Sequence, residues 1–411
     1  MARLISWAAR FCRLLVLCSL TSALAKAGTE QKTIAPAWRM DLRGALGSSP
    51  VPLSFGHIGE HKGEPVTSLV FTDNDTVIAT FVTREDKRPS LSTRSSDANL
   101  SLRLRGLLLD AATGTIKANS SWGSESTRAM IVAAHDGKFV TQSGSELTLY
   151  GRDLKVLSNF RLPRLQEYEW VAFPSPTGEN ILFLSPVLVD REEPRSWMWL
   201  DTNSLQPLHS WQDPLEGHLA VADDKIAEVA CAFSPQACLP RVQVKDIGGK
   251  WSVIATGSGY YQPQFISQDL LGVWGGDSLT LMGPDGQLIS RGNLRGAGAL
   301  ATSAGGERFV VPIFNVKGRI AALDISGHSL LKQLMLYDVP SRSWSYTLDV
   351  KGPNIKDVMK FALSPDGSRL AVLNGEVLYM FDLPPLPPQT FRCGSHSLNS
   401  ELQVASVLLE V

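Results

Sequence analysis

The feature of this sequence that most constrains its fold is a repeat: a short apolar strand, a polar turn and a second apolar strand. The clearest copy runs from Lys360 to Leu373 and turns at Ser364-Pro365-Asp366-Gly367. Six weaker copies precede it. The first apolar residues after the seven turns are Val77, Phe139, Ile181, Ile226, Leu270, Phe309 and Leu370. These positions lie 39 to 62 residues apart, and a recurrence at this spacing indicates repeated structural units.

Each unit also contains a second hairpin downstream of the first. In the first unit Asp110-Ala111-Ala112-Thr113-Gly114 separates two apolar runs, and in the fifth Gly283-Pro284-Asp285-Gly286 does so. Residues of these types accept the positive φ or the local side-chain hydrogen bonds of tight turns. Two hairpins per unit make a four-stranded antiparallel blade. The chain is therefore predicted to be all-β, a single seven-bladed β-propeller over residues 26–383.

Two of the intervals exceed the roughly 40 to 50 residues of an ordinary propeller blade and imply insertions. The polar segment from Arg84 to Asn99 is the predicted insertion of the first unit. The segment from Asn315 to Leu331 takes that place in the sixth unit.

The seventh unit has no obvious outer strand of its own. Its third strand is followed by Pro384-Pro385-Leu386-Pro387-Pro388, and proline lacks the N–H that a regular strand donates. We expect Ala37–Leu42 to supply the missing strand and to close the ring by pairing the N- and C-terminal strands. The alternative donor is Leu402–Val411, within a proline-rich spacer and tail at residues 384–411.

The N-terminus has the pattern of a signal peptide. Arg3, Arg10 and Arg13 precede or enter a short apolar run, and Ala23-Leu24-Ala25 places small residues at −3 and −1. We predict a signal peptide at residues 1–25, with cleavage after Ala27 as the second choice. The apolar run is shorter than the roughly 20 residues of a membrane-spanning helix.

These features predict a secreted or periplasmic protein with no transmembrane segment after cleavage. Leu17, rather than a small residue, precedes Cys18, which argues against lipidation there. Loss of the signal removes three arginines and no acid, so a chain of formal charge −1 becomes one of about −4. A mildly acidic chain has no basic footprint for nucleic acid, which we do not expect as a partner.

Three cysteines remain after cleavage: Cys231, Cys238 and Cys393. The sequence between the first two resembles a hairpin with a four-residue loop at Phe233–Gln236. In that register Cys231 and Cys238 face each other at a separation that a disulfide accepts, and export permits oxidation. The alternatives are two reduced, buried thiols or, with less support, a zinc site. Cys393 has no obvious partner.

The units resemble the WD-repeat and related bacterial propeller families. The Asp that ends the third strand of those repeats is matched by Asp110, Asp201, Asp246, Asp338 and Asp382, with Gly151 and Gly283 in the other two units. Trp-Asp never occurs there, and Gly217-His218 is the only Gly-His at a blade start, so the side-chain networks of true WD repeats are not carried over. The resemblance implies a fold, and that fold serves binding scaffolds, hydrolases, lyases and dehydrogenases alike.

No common catalytic, phosphate-binding or metal-binding motif occurs, so we assign no catalytic, cofactor-binding or metal-binding residue. His57 and His61 form the only close histidine pair, in a Gly-rich segment whose simplest interpretation is a solvated loop. His135 and His218 fall at blade starts, where a hydrogen-bonded structural role is expected. Most tryptophans on or beside strands are expected to pack between blades: Trp197, Trp199, Trp211, Trp251, Trp274 and Trp344.

The leading functional hypothesis is an exported, non-catalytic binding or scaffold protein whose partner is another protein or an extracellular ligand. The alternative is a propeller-type hydrolase or lyase with its site at the mouth of the central channel. His, Asp and Glu clustered at that mouth would favour the enzyme, whereas an apolar or aromatic face would favour the binding protein. The sequence does not fix the oligomeric state.

Overall fold

The computed structural model describes residues 32–45, 68–85, 101–123, 130–163, 170–185, 195–215, 217–231, 239–257, 259–275, 278–294, 300–315, 330–348, 360–374 and 377–386. Seven sheets make up this part of the chain, and their strands are antiparallel except for one added N-terminal strand. Each sheet is a blade, and the blades are numbered in chain order. Six blades contain four consecutive strands. The seventh contains three, and a strand from the N-terminal segment completes it. No helix in these ranges is long and apolar enough to cross a membrane.

The N-terminal segment and the first three blades contain fourteen strands and one short helix. The N-terminal segment forms β1 (Lys32–Ile34), β2 (Trp38–Asp41) and α1 (Leu42–Ala45). Blade 1 comprises β3 (Ser68–Asp73), β4 (Thr76–Glu85), β5 (Ser101–Asp110) and β6 (Ile116–Gly123). Blade 2 comprises β7 (Met130–His135), β8 (Lys138–Ser143), β9 (Glu146–Tyr150) and β10 (Val156–Arg161). Blade 3 comprises β11 (Val171–Pro174), β12 (Asn180–Leu184), β13 (Arg195–Asp201) and β14 (Pro207–Asp213).

The remaining four blades follow in the same order. Blade 4 comprises β15 (Gly217–Val221), β16 (Lys225–Ala230), β17 (Arg241–Asp246) and β18 (Ser252–Thr256). Blade 5 comprises β19 (Gln262–Ser267), β20 (Leu270–Gly275), β21 (Ser278–Met282) and β22 (Leu288–Asn293). Blade 6 comprises β23 (Ala301–Thr302), β24 (Arg308–Asn315), β25 (Leu330–Asp338) and β26 (Ser343–Leu348). Blade 7 comprises β27 (Lys360–Leu363), β28 (Arg369–Asn374) and β29 (Val377–Asp382).

The first strands of all seven blades surround a central channel, and their residues line it. Because successive hairpins in a blade turn at alternating ends, the molecule has two different faces. The turn face carries the turns between first and second strands and between third and fourth strands. The connection face carries the links between second and third strands and the links from one blade to the next.

The seven apolar residues predicted from the repeat all lie in the second strand of a blade, and none is more than 5% exposed. The described buried apolar residues form seven clusters, one between each pair of adjacent blades. Burial of apolar area is the dominant favourable term in folding. The apolar residues of the repeat are therefore residues that pack between adjacent blades. Trp197, Trp199 and Trp274 are buried in these seams as predicted.

Ring closure follows the predicted route. β2 pairs antiparallel with β29 and becomes the outer strand of blade 7, with Trp38 opposite Met380 and Asp41 opposite Val377. The Trp38 indole N–H also donates to the carbonyl of Ala111 in blade 1, at 2.9 Å. The alternative donor, Leu402–Val411, lies outside the described residues. Leu383–Leu386 belongs to no strand, in keeping with its prolines.

The N-terminal segment also forms a strand pairing that the sequence did not predict. β1 pairs parallel with β26 and adds a fifth strand to blade 6, with Lys32 opposite Tyr346 and Ile34 opposite Leu348. The segment from Lys32 to Asp41 therefore covers the outer edges of two adjacent blades.

The two predicted insertions were too long, because residues at their ends pair in strands. β4 continues to Glu85, which pairs with Ser101, so Arg84 lies in a strand and not in a loop. Asn315 and Leu330 likewise pair at the ends of β24 and β25. Backbone pairing continues past the point where the side chains become polar, because ladder hydrogen bonds do not depend on side-chain hydrophobicity.

A β-bulge recurs just after the second turn in six of the described blades. In each case one residue of the outer strand has no partner in the register of the third strand: Lys117, Leu157, Leu208, Ile254, Ile289 and Ser345. Such a bulge increases the local twist and interrupts the regular edge. It therefore protects outer strands that would otherwise offer a flat edge for pairing with another chain.

Candidate functional site

The central channel encloses a cavity of about 500 Å³ bounded by all seven first strands. Its lining is mostly apolar side chains and strand backbone. The polar side chains among the described lining residues are Ser175, Thr177, Gln262, Gln264 and Thr302. Gln264 is already engaged, since its Nε2 donates to the carbonyl of Leu300 at 3.0 Å and its Oε1 accepts from the N–H of Leu300 at 3.3 Å.

The described lining contains no His, Asp, Glu, Lys or Arg. A charged group entering this cavity would lose hydration without gaining an ionic partner, which is costly. An apolar side chain meets no such penalty, and an uncharged polar group avoids a desolvation cost only where it finds a hydrogen-bond partner. The described residues also contain no group of three or more His, Cys, Asp and Glu in metal-binding proximity.

The connection face has exposed apolar residues in three blades, and two of them directly precede residues that line the channel. Val171, the first residue of β11, is 47% exposed, and Tyr261, which directly precedes β19, is 49% exposed. Leu239, in the link between β16 and β17, is 57% exposed. The ring of His218 in β15 lies 4.6 Å from that of Tyr261, with the two planes tilted by 56°. We call Val171, His218, Leu239 and Tyr261 the mouth cluster.

Backbone contacts hold the Tyr261 side of this cluster in place. The N–H of Tyr261 donates to the carbonyl of Trp274 at 2.9 Å, which extends the pairing of β19 with β20. Gly275 allows the close approach, because a Cβ at that position would collide with the carbonyl of Gly259. The carbonyl of Pro240, next to Leu239, accepts the N–H of Gly257 at 3.0 Å, which ties the Leu239 link to the segment leading to Tyr261.

The His218 side depends on the glycine before it. Gly217 opens β15, and a Cβ there would collide with the carbonyl of Val229 on the neighbouring strand. Burial lowers the pKa of His218 below its ordinary 6.5, since desolvation disfavours the imidazolium. At neutral pH the mouth cluster therefore presents a neutral imidazole against a phenol ring. Lys360 opens β27 at the same end of the channel, and burial lowers its pKa as well.

Four arginines of blades 2 to 5 lie at the ends of their strands on the connection face. Arg195 and Arg241 open β13 and β17, Arg161 closes β10, and Arg291 lies near the end of β22. Arg161 and Arg291 are exposed.

The turn face carries exposed acidic side chains in every blade: Asp75, Asp136, Asp153, Glu179, Asp224, Asp246, Asp269, Asp285, Glu307 and Asp382. Several of them pair with neighbouring lysines or arginines. Polar contacts between blades run through this face. His135 Nδ1 lies 3.1 Å from the carbonyl oxygen of Thr177, and Thr177 Oγ1 donates to Asp223 at 2.6 Å. His135 therefore has the hydrogen-bonded structural role that its position predicted.

The cysteine prediction is tested only in part. Cys231 is disulfide-bonded, whereas Cys238 and Cys393 lie outside the described residues, so the Cys231–Cys238 pairing stays a prediction. β16 ends at Ala230 and β17 begins at Arg241, so Cys231 is not in a strand as predicted, and it adopts φ 64°. A positive φ breaks the extended backbone, which ends β16 there. The predicted loop at Phe233–Gln236 lies outside the described residues.

His57, His61 and Glu60 lie outside the described residues. Sequence reasoning treated His218 as a structural residue and did not single out Val171, Leu239 or Tyr261. These side chains come from three blades, and no local motif joins them. Two features of the sequence pointed to these positions: Gly217-His218 at the start of one blade, and Tyr260-Tyr261 directly before the start of the next blade.

The geometry defines the class: the chain is an all-β, seven-bladed β-propeller, as its resemblance to WD-repeat proteins implied. No family model and no curated protein matches the sequence. Among solved structures, a chain of the crystal structure of the mitotic checkpoint complex aligns at 12% identity and a TM-score of 0.49, over 87% of this chain and 94% of that chain.

Two further solved structures align over similar lengths. BBS1N, crystallised in complex with ARL6DN, matches at 12% identity and a TM-score of 0.47, over 86% of this chain and 98% of that one. The β-propeller domain of Cps50 (Swd1) from Myceliophteria thermophila matches at 12% identity and a TM-score of 0.44, over 69% and 93%. These similarities concern the fold alone.

Proposed function

We propose that this chain is an exported, non-catalytic binding protein that holds a protein partner at the mouth cluster. The observation that carries the proposal is the exposure of Val171, Leu239 and Tyr261 on one face of blades 3 to 5. Large exposed apolar patches mark interaction surfaces, and these three residues share one face of neighbouring blades. Tyrosine is also enriched at protein interfaces, because its ring gives contact area and its hydroxyl a hydrogen bond.

The other exposed apolar residues of the described chain serve as a contrast. Val156, Leu157, Leu208, Val253 and Leu288 lie at the start of outer strands, spread around blades 2 to 5. They flank or form the β-bulges, far from the channel. They therefore provide matched substitutions that change surface hydrophobicity to the same degree at a different place.

The test is a cross-linked pull-down from the native host, using the full chain exported by its own N-terminal segment. Wild type is compared with a mouth variant, Val171→Ser with Tyr261→Ser, and a rim variant, Leu208→Ser with Val253→Ser. We expect a stoichiometric protein partner that is retained by the rim variant and lost by the mouth variant. Equal capture by both variants would contradict the proposed surface.

Export is tested in the same material. N-terminal sequencing of the mature chain should begin at Lys26 and fractionation should place it outside the cytoplasm, because residues 1–25 have the order of a signal peptide. An intact N-terminus in the cytoplasmic fraction would overturn this part of the proposal.

A further inference from the structure

The outer strand of blade 1 has the longest regular edge among the bulged blades. After the bulge at Lys117, β6 pairs with β5 without interruption from Ala118 to Gly123, which is six consecutive residues. The corresponding runs in blades 2 to 6 contain at most five residues. No described strand pairs with the far side of β6. A long regular edge of this kind presents backbone N–H and C=O groups with which another chain can pair.

The usual protections of an edge strand are missing from this run. Charged side chains and proline are the common devices that keep an edge from pairing with another chain. The longer runs of other blades contain one such residue each: Arg161 in blade 2, Asp213 in blade 3 and Arg291 in blade 5. The run of blade 6 is covered by β1. The run of blade 1, Ala118-Asn119-Ser120-Ser121-Trp122-Gly123, contains neither a charge nor a proline.

The same run contains a sequence that N-glycosylating enzymes recognise. Asn119-Ser120-Ser121 matches the acceptor pattern Asn-X-Ser/Thr, in which X is not proline. Asn119 is exposed, and its side-chain amide has no hydrogen-bond partner among the described residues. A glycan is bulky and hydrophilic. Its attachment to this amide displaces no hydrogen bond of the described chain.

Two further acceptor sequences occur in the chain, and neither lies on an open edge of the described structure. Asn74-Asp75-Thr76 forms the first turn of blade 1, where Asn74 Oδ1 accepts the N–H of Asp366 in blade 7 at 2.9 Å. Thr76 is buried, and its Oγ1 accepts a hydrogen bond from Lys117 Nζ at 3.2 Å. Asn99, which begins the third acceptor sequence, lies outside the described residues. Asn119 therefore combines the acceptor pattern with an edge that lacks other protection.

From the edge and the acceptor sequence together we propose that Asn119 carries an N-linked glycan that covers the outer edge of blade 1. Asn119 Nδ2 forms the new bond to the anomeric carbon of a lipid-linked oligosaccharide diphosphate. The bond from that carbon to the phosphate oxygen breaks, the lipid diphosphate leaves, and the amide proton passes to the transferase. The inference rests on the export part of the proposed function, because the chain must reach the transferase, and it selects secretion over a periplasmic location.

Site mapping tests the modification. The full chain is recovered from its native host, digested, and treated with peptide N-glycosidase, which converts a glycan-bearing asparagine into aspartate. We expect mass spectrometry to find this conversion at Asn119 in the treated digest and not in the untreated one. Asn119→Gln should lose the glycan completely, whereas Ser120→Ala, which alters only the middle residue of the acceptor sequence, should retain it. An unmodified Asn119 in the exported chain overturns the inference.

Two substitutions at one position test whether the glycan covers the edge. Asn119→Gln and Asn119→Lys both remove the glycan, but the lysine places a charge on the edge. By size-exclusion chromatography with light scattering, we expect Asn119→Gln to form larger species than wild type and Asn119→Lys to keep the wild-type oligomeric state. Circular dichroism and thermal melting check that both variants are folded. Identical elution of all three proteins would mean that the glycan does not protect this edge.

The remaining outcomes separate this inference from the proposed function. If the chain stays in the cytoplasm with an intact N-terminus, the export proposal and this inference both fail. If the mature chain is exported but Asn119 is unmodified, only this inference fails. If, in addition, wild type associates and Asn119→Lys prevents that association, the edge of β6 is an interface between copies of the chain and not a glycosylated surface.

Discussion

Arg308 and Asp338 form an ion pair inside blade 6, with Arg308 Nε 2.7 Å from Asp338 Oδ1 and side-chain exposures of only 1% and 3%. Arg308 Nη1 also donates to the carbonyl of Gly367 in blade 7, at 3.0 Å. Asp338 is one of the five aspartates that end a third strand. The residue that resembles the WD-repeat pattern therefore serves here to fix a seam between blades.

We expect Asp338→Asn to destabilise the protein by about 3–5 kcal/mol, because it leaves the Arg308 guanidinium buried without its counterion. Asp382→Asn is the matched control. Asp382 ends the third strand of blade 7 and lies 3.4 Å from Arg369, but its side chain is 67% exposed. That change should cost about 0–1 kcal/mol. Urea unfolding measures the loss of stability in both variants. Similar losses would show that the buried ion pair contributes no more to stability than the exposed one.

A second stability prediction concerns the N-terminal strand. The Trp38 ring packs against blade 1 where Gly114 leaves room, since a Cβ at Gly114 would lie 3.1 Å from that ring. Trp38→Ala removes this packing and the hydrogen bond to Ala111, so we expect a loss of about 2–4 kcal/mol. Arg39→Ala alters the neighbouring exposed residue and should change little. Equal midpoints in urea for the two variants would argue against ring closure by β2.

These examples show how far the sequence predicts the fold. The turns and the apolar residue after each of them identified seven blades, because a hairpin is specified locally by turn chemistry and alternation. The donor strand at Ala37–Leu42 followed from the prolines after Asp382. β1 was missed, since Lys32–Ile34 is too short to have a pattern and depends on the edge of β26. The bulges at positions such as Leu208 were missed for the same reason.

The candidate site was less accessible to prediction. Val171, Leu239 and Tyr261 lie on different blades: Val171 opens an inner strand, Tyr261 directly precedes one, and Leu239 lies in the link between β16 and β17. A valine at the start of an apolar strand is interpreted as core from the sequence alone. Only the ring geometry shows that these residues share one face and that the described lining of the channel carries no charge.

Lys245 gives a third prediction, at the seam between blades 3 and 4. Its ammonium is paired with Asp213 and lies 5.0 Å, 5.5 Å and 4.5 Å from the ring centres of Trp197, Trp211 and Trp251. Lys245→Met keeps most of the side-chain volume but removes the charge, so we expect a loss of about 1–3 kcal/mol. Tryptophan fluorescence should shift as well. Lys250→Met, exposed in the same hairpin, should do neither.

The disulfide gives a fourth prediction. A non-reduced proteolytic digest of the exported chain should contain a peptide pair that links Cys231 to Cys238, and Cys393 should be alkylated without reduction. Cys238→Ser should lower stability by about 2–3 kcal/mol, the effect of opening a short loop. A linkage between Cys231 and Cys393 would contradict the pairing predicted from the sequence.

The last prediction is a pH dependence that comes from His218. Its folded pKa is lowered by burial, whereas the unfolded chain titrates near 6.5. Below about pH 6.5 the unfolded state therefore binds more protons than the folded state, and linkage requires stability to fall as pH decreases through that value. His218→Phe keeps a ring against Tyr261 and removes the proton. We expect the variant to show a shallower decrease in urea midpoint than wild type between about pH 7 and pH 5. Parallel decreases would mean that His218 titrates alike in the folded and unfolded chains, and that the mouth cluster is more hydrated than its geometry indicates.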